Sequence, residues 1–418
     1  MRTMLLVPLF LASHSVAADW PQWLGPNRDG TTTEIVKPWT GDPKVLWRVK
    51  VGEGHSSSVV ADGVVYLHDL KKDGDENFER LTAFDAVSGK AIGEVLHERG
   101  PFASIFGVGP RATPVVQGSA VYALGVTGRF SREVSSKSAG GAIAFKTAYS
   151  IDTLKEYGAS NLVFGVSASP LVDGNQVLLA VGLGDKAPVV ALNKETGKVA
   201  WKADNQPASY ASPIGFGEGQ ARQAVFLGQK GLVSVHPKDG DVLWEFPFRD
   251  RIMESSTTPV KAGELLIASS VTLGSVALKL NKENGRPSVK EVWREPKLTC
   301  YFSTPVAAGD GLLFMITGAA TLRNPSINLH CVEAATGKIK WTKEKIGKYH
   351  AALVRTGDGK LLMLDDGGRL TLFEPSAKEY TQLAQSKVCG ETWAHPALSN
   401  GRLYIRDNKE LICLQVGE

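Results

Sequence analysis

Apolar residues in this chain fall in short alternating or β-branched runs, each cut off by a Gly beside Asp, Asn or Thr. The clearest copy runs Ser167-Ala168-Ser169-Pro170-Leu171-Val172-Asp173-Gly174-Asn175-Gln176-Val177-Leu178-Leu179-Ala180. It continues as Val189-Val190-Ala191-Leu192-Asn193-Lys194-Glu195-Thr196-Gly197-Lys198-Val199-Ala200-Trp201. Period-two alternation predicts strands, and the Asp-Gly and Thr-Gly-Lys breaks predict hairpins. Four antiparallel strands in about 45 residues make a propeller blade.

Pro114, Pro170, Pro213, Pro259, Pro305 and Pro396 open the first strand of a copy, and Ser58 and Ala352 fill that place in two more. The last copy has three strands, ending in Leu411-Ile412-Cys413-Leu414. Its missing fourth strand stands at the other end of the chain as Val45-Leu46-Trp47-Arg48-Val49-Lys50-Val51. A ring needs its last blade stitched to its first, because an open sheet edge invites aggregation. The expected fold is therefore all-β: one eight-bladed β-propeller of four-stranded antiparallel blades, closed by an N-terminal strand, over residues 44–418. An N-terminal extension covers 19–43. Blade-ending Trp47, Trp201, Trp244, Trp293 and Trp341 should lie flat between neighbouring sheets and donate their N–H across the gap. The second copy lacks this tryptophan. Its polar stretch 129–148 reads as an unpaired loop, which leaves that sheet incomplete and makes the stretch the least ordered part of the ring.

Arg2, the apolar run Met4–Ala12 and the small residues Val16-Ala17-Ala18 have the three parts of a cleavable signal peptide over residues 1–18. The run is too short to span a bilayer, and no cysteine stands at the cleavage site for a lipid anchor. The expected location is periplasmic or secreted. With 43% hydrophobic and 22% charged residues, the 418-residue chain is globular rather than disordered. Its 47 basic and 43 acidic residues leave +4, too little and too scattered for a nucleic-acid partner. An oxidising compartment would let Cys300, Cys331, Cys389 and Cys413 pair in three ways. Cys331 and Cys413, in matching apolar strands, read as buried free thiols.

The motif x-Ser-Pro-Val-Val-x-Asp-Gly, followed by Leu-x-Ala-Leu-Asp-x-x-Thr-Gly-Lys-x-x-Trp, resembles the pyrroloquinoline quinone (PQQ) repeat. Across residues 44–416 the chain resembles the PQQ-like β-propeller family, which includes quinoprotein alcohol dehydrogenases and BamB-type outer-membrane assembly factors. Asp19-Trp20-Pro21-Gln22-Trp23-Leu24-Gly25-Pro26-Asn27-Arg28-Asp29-Gly30 resembles the opening of a secreted PQQ-binding-like, BamB-like subgroup. The dehydrogenase resemblance implies PQQ held with calcium by a Glu, an Asn and an Asp, beside two adjacent cysteines. This chain has no Cys-Cys pair and no alignable calcium set, so no cofactor and no metal are expected.

In a propeller the strand-opening residues converge on the axis. His55, Arg111, Tyr210, Glu254, Tyr301, His350, Trp393 and His395 stand just before the strand-opening positions. This mixture reads as a hydrated funnel with no dedicated ligand; the alternative is a site for an anionic planar ligand. Asp73-Gly74-Asp75-Glu76-Asn77 starts like a calcium loop but lacks its later glycine and glutamate, so it reads as a solvated hairpin. No catalytic residues are assigned. The functional expectation is a monomeric, exported, non-catalytic binding or assembly scaffold, meeting a protein partner or small ligand at the axial funnel or blade faces. The alternative is a PQQ-dependent alcohol dehydrogenase.

Overall fold

The computed structural model describes residues 19–417 apart from 186, 320 and 322; the signal segment 1–18 lies outside them. Eight four-stranded antiparallel sheets stand in a ring. The innermost strands are Val59–Ala61, Val115–Gln117, Leu171–Asp173, Ile214–Phe216, Val260–Ala262, Val306–Ala307, Ala351–Arg355 and Ala397–Ser399. Each follows the proline, or its Ser58 or Ala352 substitute, that the repeat placed there, and they define blades 1 to 8. Lys44–Lys50 completes blade 8 by pairing antiparallel with Glu410–Gln415, Trp47 opposite Cys413. The only α-helix among the described residues is the short Thr153–Glu156, with one 3-10 turn at Gly219–Ala221, and no helix is long and apolar enough to cross a membrane.

In all eight blades the outermost strand carries a register shift at the same place. A bulge adds one residue, bends the strand and re-aims the next side chain. The five tryptophans all follow it. Four behave as expected and donate to a turn carbonyl of the next blade: Trp47 to Ala86 at 3.2 Å, and Trp201 to Pro237, Trp293 to Ala334 and Trp341 to Ser376 at 2.8 Å. Trp244 instead donates to Gln223 of its own blade at 2.7 Å. Blade 5 has no Thr-Gly-Lys turn to receive it, because Gly274–Glu283 and Arg286–Glu295 run on as one long hairpin.

The stretch 129–148 departs from the sequence expectation. Arg129–Lys137 pairs with Ala120–Leu124 on one side and Ile143–Asp152 on the other, so blade 2 is complete. Its polar residues are matched rather than solvated. Fully buried Glu133 accepts from His97 Nε2 at 2.8 Å and Thr147 Oγ1 at 2.7 Å. Buried polar groups are tolerated when hydrogen-bonded, which lets a polar sequence form an interior strand. Tyr149 takes the missing tryptophan's place after the bulge and donates to Lys194 O at 3.1 Å.

A second set of bonds ties the blades near the axis. At four seams the Ser or Thr before a strand-opening residue accepts a backbone N–H from its neighbour: Ser57 N to Thr113 Oγ1, Thr113 N to Ser169 Oγ, Ser169 N to Ser212 Oγ, and Thr258 N to Thr304 Oγ1. His395 N donates to Ser57 Oγ at 2.8 Å, which carries this belt across the closure between blades 8 and 1. All four cysteines are buried free thiols, as expected for Cys331 and Cys413.

The extension reaches every blade. Trp20 exchanges backbone bonds with Val60, Pro21 O accepts from Val116, and Gly30 O accepts from Arg355. Trp23 Nε1 donates to Thr258 Oγ1 at 2.8 Å, and Trp20 stacks on His395. A Cβ on Gly30 would lie 2.9 Å from Val306 Cγ2. Arg28, 3% exposed, donates to Pro170 O at 2.8 Å, Pro213 O at 3.0 Å and Ser169 O at 3.2 Å. Residues 20–30 are thus a hub seated on the axis.

Candidate functional site

The loops that precede the innermost strands converge on an axial pocket with a volume of about 130 Å³, room for several waters at roughly 10–15 Å³ each. Seven of the eight predicted residues line it: His55, Arg111, Tyr210, Glu254, Tyr301, His350 and Trp393. His395 does not. It lies beneath, between Trp20 and the edge of Trp23, with its ring nitrogens 3.1 and 3.0 Å from Pro396 O and Leu353 O. The cause is its offset in the repeat. His395 immediately precedes Pro396 and so occupies the belt position, whereas Arg111, Tyr210 and Trp393 stand three residues before their prolines and point into the pocket.

The walls of the pocket are aromatic, and no residue pattern in the sequence singles them out. Phe106, Phe164 and Phe302 join Trp393 in an aromatic cluster, with Phe106 to Trp393 at 5.2 Å, Phe106 to Phe164 at 5.2 Å and Phe302 to Trp393 at 4.9 Å. These side chains come from blades 2, 3, 6 and 8, so the cluster crosses the axis. Phe302 also holds the third place before a proline; Phe106 and Phe164 sit farther back on long connections, where no repeat signal marks them. From the hub, Trp23 contributes to the inner end of the lining.

The polar groups have specific assignments. Arg111 turns its guanidinium onto its own loop, donating to Gly109 O at 2.9 Å, Gly107 O at 3.0 Å and Phe106 O at 3.2 Å. It also lies over the ring of Phe102. Burial lowers it to about 10, still far above neutral pH. His55 Nε2 donates to Phe106 O at 2.7 Å, and its ring stacks on Trp393. His350 is 4% exposed and its Nδ1 donates to Phe302 O at 3.0 Å, while Nε2 has no partner. Burial lowers both imidazoles to about 4, so each is neutral with one lone pair. Tyr301 donates its hydroxyl to the Glu254 carboxylate; burial, then that carboxylate, hold the phenol above its usual range.

Residues 77–343 match the family model described as outer membrane protein assembly factor BamB. No curated protein matches the chain by sequence. Among solved structures it is similar to quinohemoprotein alcohol dehydrogenase from Comamonas testosteroni, at TM-score 0.65 and 12% identity over 96% of this chain and 81% of that one. It is also similar to BamB from Moraxella catarrhalis, at TM-score 0.58 and 13% identity over 90% and 98%. Chaetomium thermophilum Sqt1 bound to the N-terminus of the ribosomal protein L10 matches at TM-score 0.53 and 11% identity over 87% and 96%. These likenesses establish the fold alone.

The pocket does not suit calcium-held PQQ. Glu254 is its single carboxylate, whereas calcium takes six to eight oxygens. Among the described residues no group of three His, Cys, Asp or Glu could hold a metal ion. The cations that an anionic quinone would need, Arg111 and Arg28, are both directed to backbone carbonyls.

Proposed function

The chain belongs to the family described as outer membrane protein assembly factor BamB, and we propose that it is an exported, non-catalytic binding or assembly propeller. Its partner or ligand meets it at the axial pocket or on the blade faces. The observation that carries this reading is the commitment of both axial arginines to main-chain carbonyls. It leaves the pocket without the cation-and-carboxylate arrangement that redox catalysis on a bound quinone needs. The family match supports the reading too, as does the Sqt1 complex, in which a propeller of this fold holds a protein segment.

The competing reading, a PQQ-dependent alcohol dehydrogenase, draws support from the likeness to quinohemoprotein dehydrogenases, which rests on fold. Reconstitution with PQQ and calcium, followed by absorbance at the quinone band and dye-linked alcohol oxidation, separates the two. We expect neither stoichiometric uptake nor turnover; tight uptake with turnover would overturn the proposal. Export is tested by cell fractionation and intact mass, where cleavage after Ala18 is expected and an uncleaved cytoplasmic chain would contradict it.

A further inference from the structure

We infer that the axial pocket is a receptor for a small organic ammonium ion, an inference that rests on reading this propeller as a binding module. Three of the pocket's hydroxyls have already given their protons away. Ser167 and Ser256 have turned their hydroxyl protons onto Gly165 O and Tyr301 O, and Tyr301 has given its own to Glu254. The hydroxyls of Ser169 and Ser212 accept backbone N–H groups of the belt. Ser167, Ser256 and Tyr301 thus present lone pairs, while Ser169 and Ser212 keep a hydroxyl proton of their own.

Two further groups give that lining its sign. Glu254 accepts from the Tyr301 hydroxyl and forms no ion pair among the described residues, so no cation of the chain is paired with its carboxylate. His350, more than nine-tenths buried in the lining, holds its Nδ1 proton on Phe302 O and leaves Nε2 as an acceptor with nothing to accept from. An unpartnered buried acceptor costs free energy until a donor fills it. The positive charges nearby are turned away: Arg111 faces Gly109, Gly107 and Phe106 carbonyls, and Arg28 faces those of Ser169, Pro170 and Pro213. An anion therefore finds no guanidinium turned toward it, whereas a cation finds a carboxylate, an imidazole lone pair and aromatic faces. Aromatic faces attract ammonium groups through the ring quadrupole, and more strongly where water is excluded. An acceptor-rich aromatic pocket with one unpaired carboxylate is the complement of an N–H-bearing cation.

The test uses the full mature chain and three matched probes: 2-phenylethylammonium, neutral 2-phenylethanol and anionic phenylacetate, followed by tryptophan fluorescence and calorimetry. The ammonium should bind about tenfold or more tighter than the alcohol, with phenylacetate weakest. Glu254→Gln should remove that preference while leaving the alcohol's affinity within about twofold. Glu254→Asp should restore part of it, and its melting temperature checks the fold if the glutamine variant is unstable. A short peptide with a free amino terminus, set against its acetylated form, tells whether the ammonium comes from a chain end or a free amine; Glu254-dependent binding of either supports the inference. Equal or tighter binding of phenylacetate, no effect of Glu254→Gln, or no saturable binding up to about 10 mM would overturn it. Those failures leave the non-catalytic reading standing, whereas PQQ uptake with turnover would remove that reading instead.

Discussion

Glu79, 2% exposed, sits at the seam between blades 1 and 2, where Val126 N donates to its Oε1 at 2.7 Å. Burial pushes its carboxyl up to about 7 from 4.5. A raised folded pKa means that the fold prefers the protonated form. Its contribution is complete below about 4.5 and is lost as the pH climbs through 7. Glu79→Gln keeps an acceptor for Val126 and removes the charge. It should therefore stabilise the protein by about 1–3 kcal/mol at pH 8 and change little at pH 4. Chemical denaturation at the two pH values checks this, and equal shifts at both would contradict it. Arg28 is the opposite case: a buried charge without a carboxylate partner, lowered by burial to about 9 and held by three carbonyls. Arg28→Met should cost about 2–4 kcal/mol by leaving those carbonyls unpaired; a melting temperature unchanged from the parent would show that the hub does not need the guanidinium.

The turn before each outermost strand explains why its repeat glycine is a glycine. At Gly240 and Gly337, φ is +82° and +73°, and an added Cβ would meet the Trp201 or Trp293 ring of the preceding blade at 2.5 and 2.8 Å. Gly263 has φ +62° with nothing within 4 Å, so it carries the backbone cost alone. Gly263→Ala should lose about 1–2 kcal/mol for its left-handed backbone, and Gly337→Ala a further 1–3 kcal/mol, approximately, for the clash. Matching losses in thermal melts would mean that the indole moves aside freely. Tyr149→Phe should cost about 0.5–1.5 kcal/mol through the lost bond to Lys194 O; no loss by denaturant titration would reduce the tyrosine to a spacer. The blades were legible because each repeat carries its own landmarks, a proline at the inner strand and a glycine and tryptophan at the outer. Tyr149 was not, because an aromatic after a bulge has no spacing signal once the Thr-Gly-Lys turn is gone. Nor was the polar strand Arg129–Lys137, whose burial depends on His97 two strands away across the seam. Within the site, position before the proline carried the information: three residues back, as at Arg111, Tyr210 and Trp393, faces the ligand space, and one residue back joins the belt between blades, where Ser169 and Ser212 still reach the lining and His395 does not.

Across the whole molecule, four imidazoles shielded from water set the acid response. Burial lowers His55, His68, His350 and His395 to about 4 from 6.5. A depressed histidine pKa gives stability that is present above 6.5 and lost as the pH falls toward 4, about 1.4 kcal/mol per pH unit for each ring in that window. The groups facing them include Arg111 and Arg406 for His55, Asp69, His97 and Glu133 for His68, and Asp366 for His350. Melting temperature should therefore fall steeply between pH 6.5 and 4.5; a flat profile there would place these rings in contact with water. The hub has a consequence of another kind, for the order of assembly. Its seats at Val60, Val116, Pro170, Pro213, Thr258, Arg355 and His395 exist only when the ring has been built around them. The stretch of polypeptide that precedes every blade in sequence is thus the last that can come to rest. It acts as a clasp that fastens a finished ring and has little to hold in an unfinished one, so quenching of a probe beside Trp20 should trail the far-ultraviolet signal during refolding.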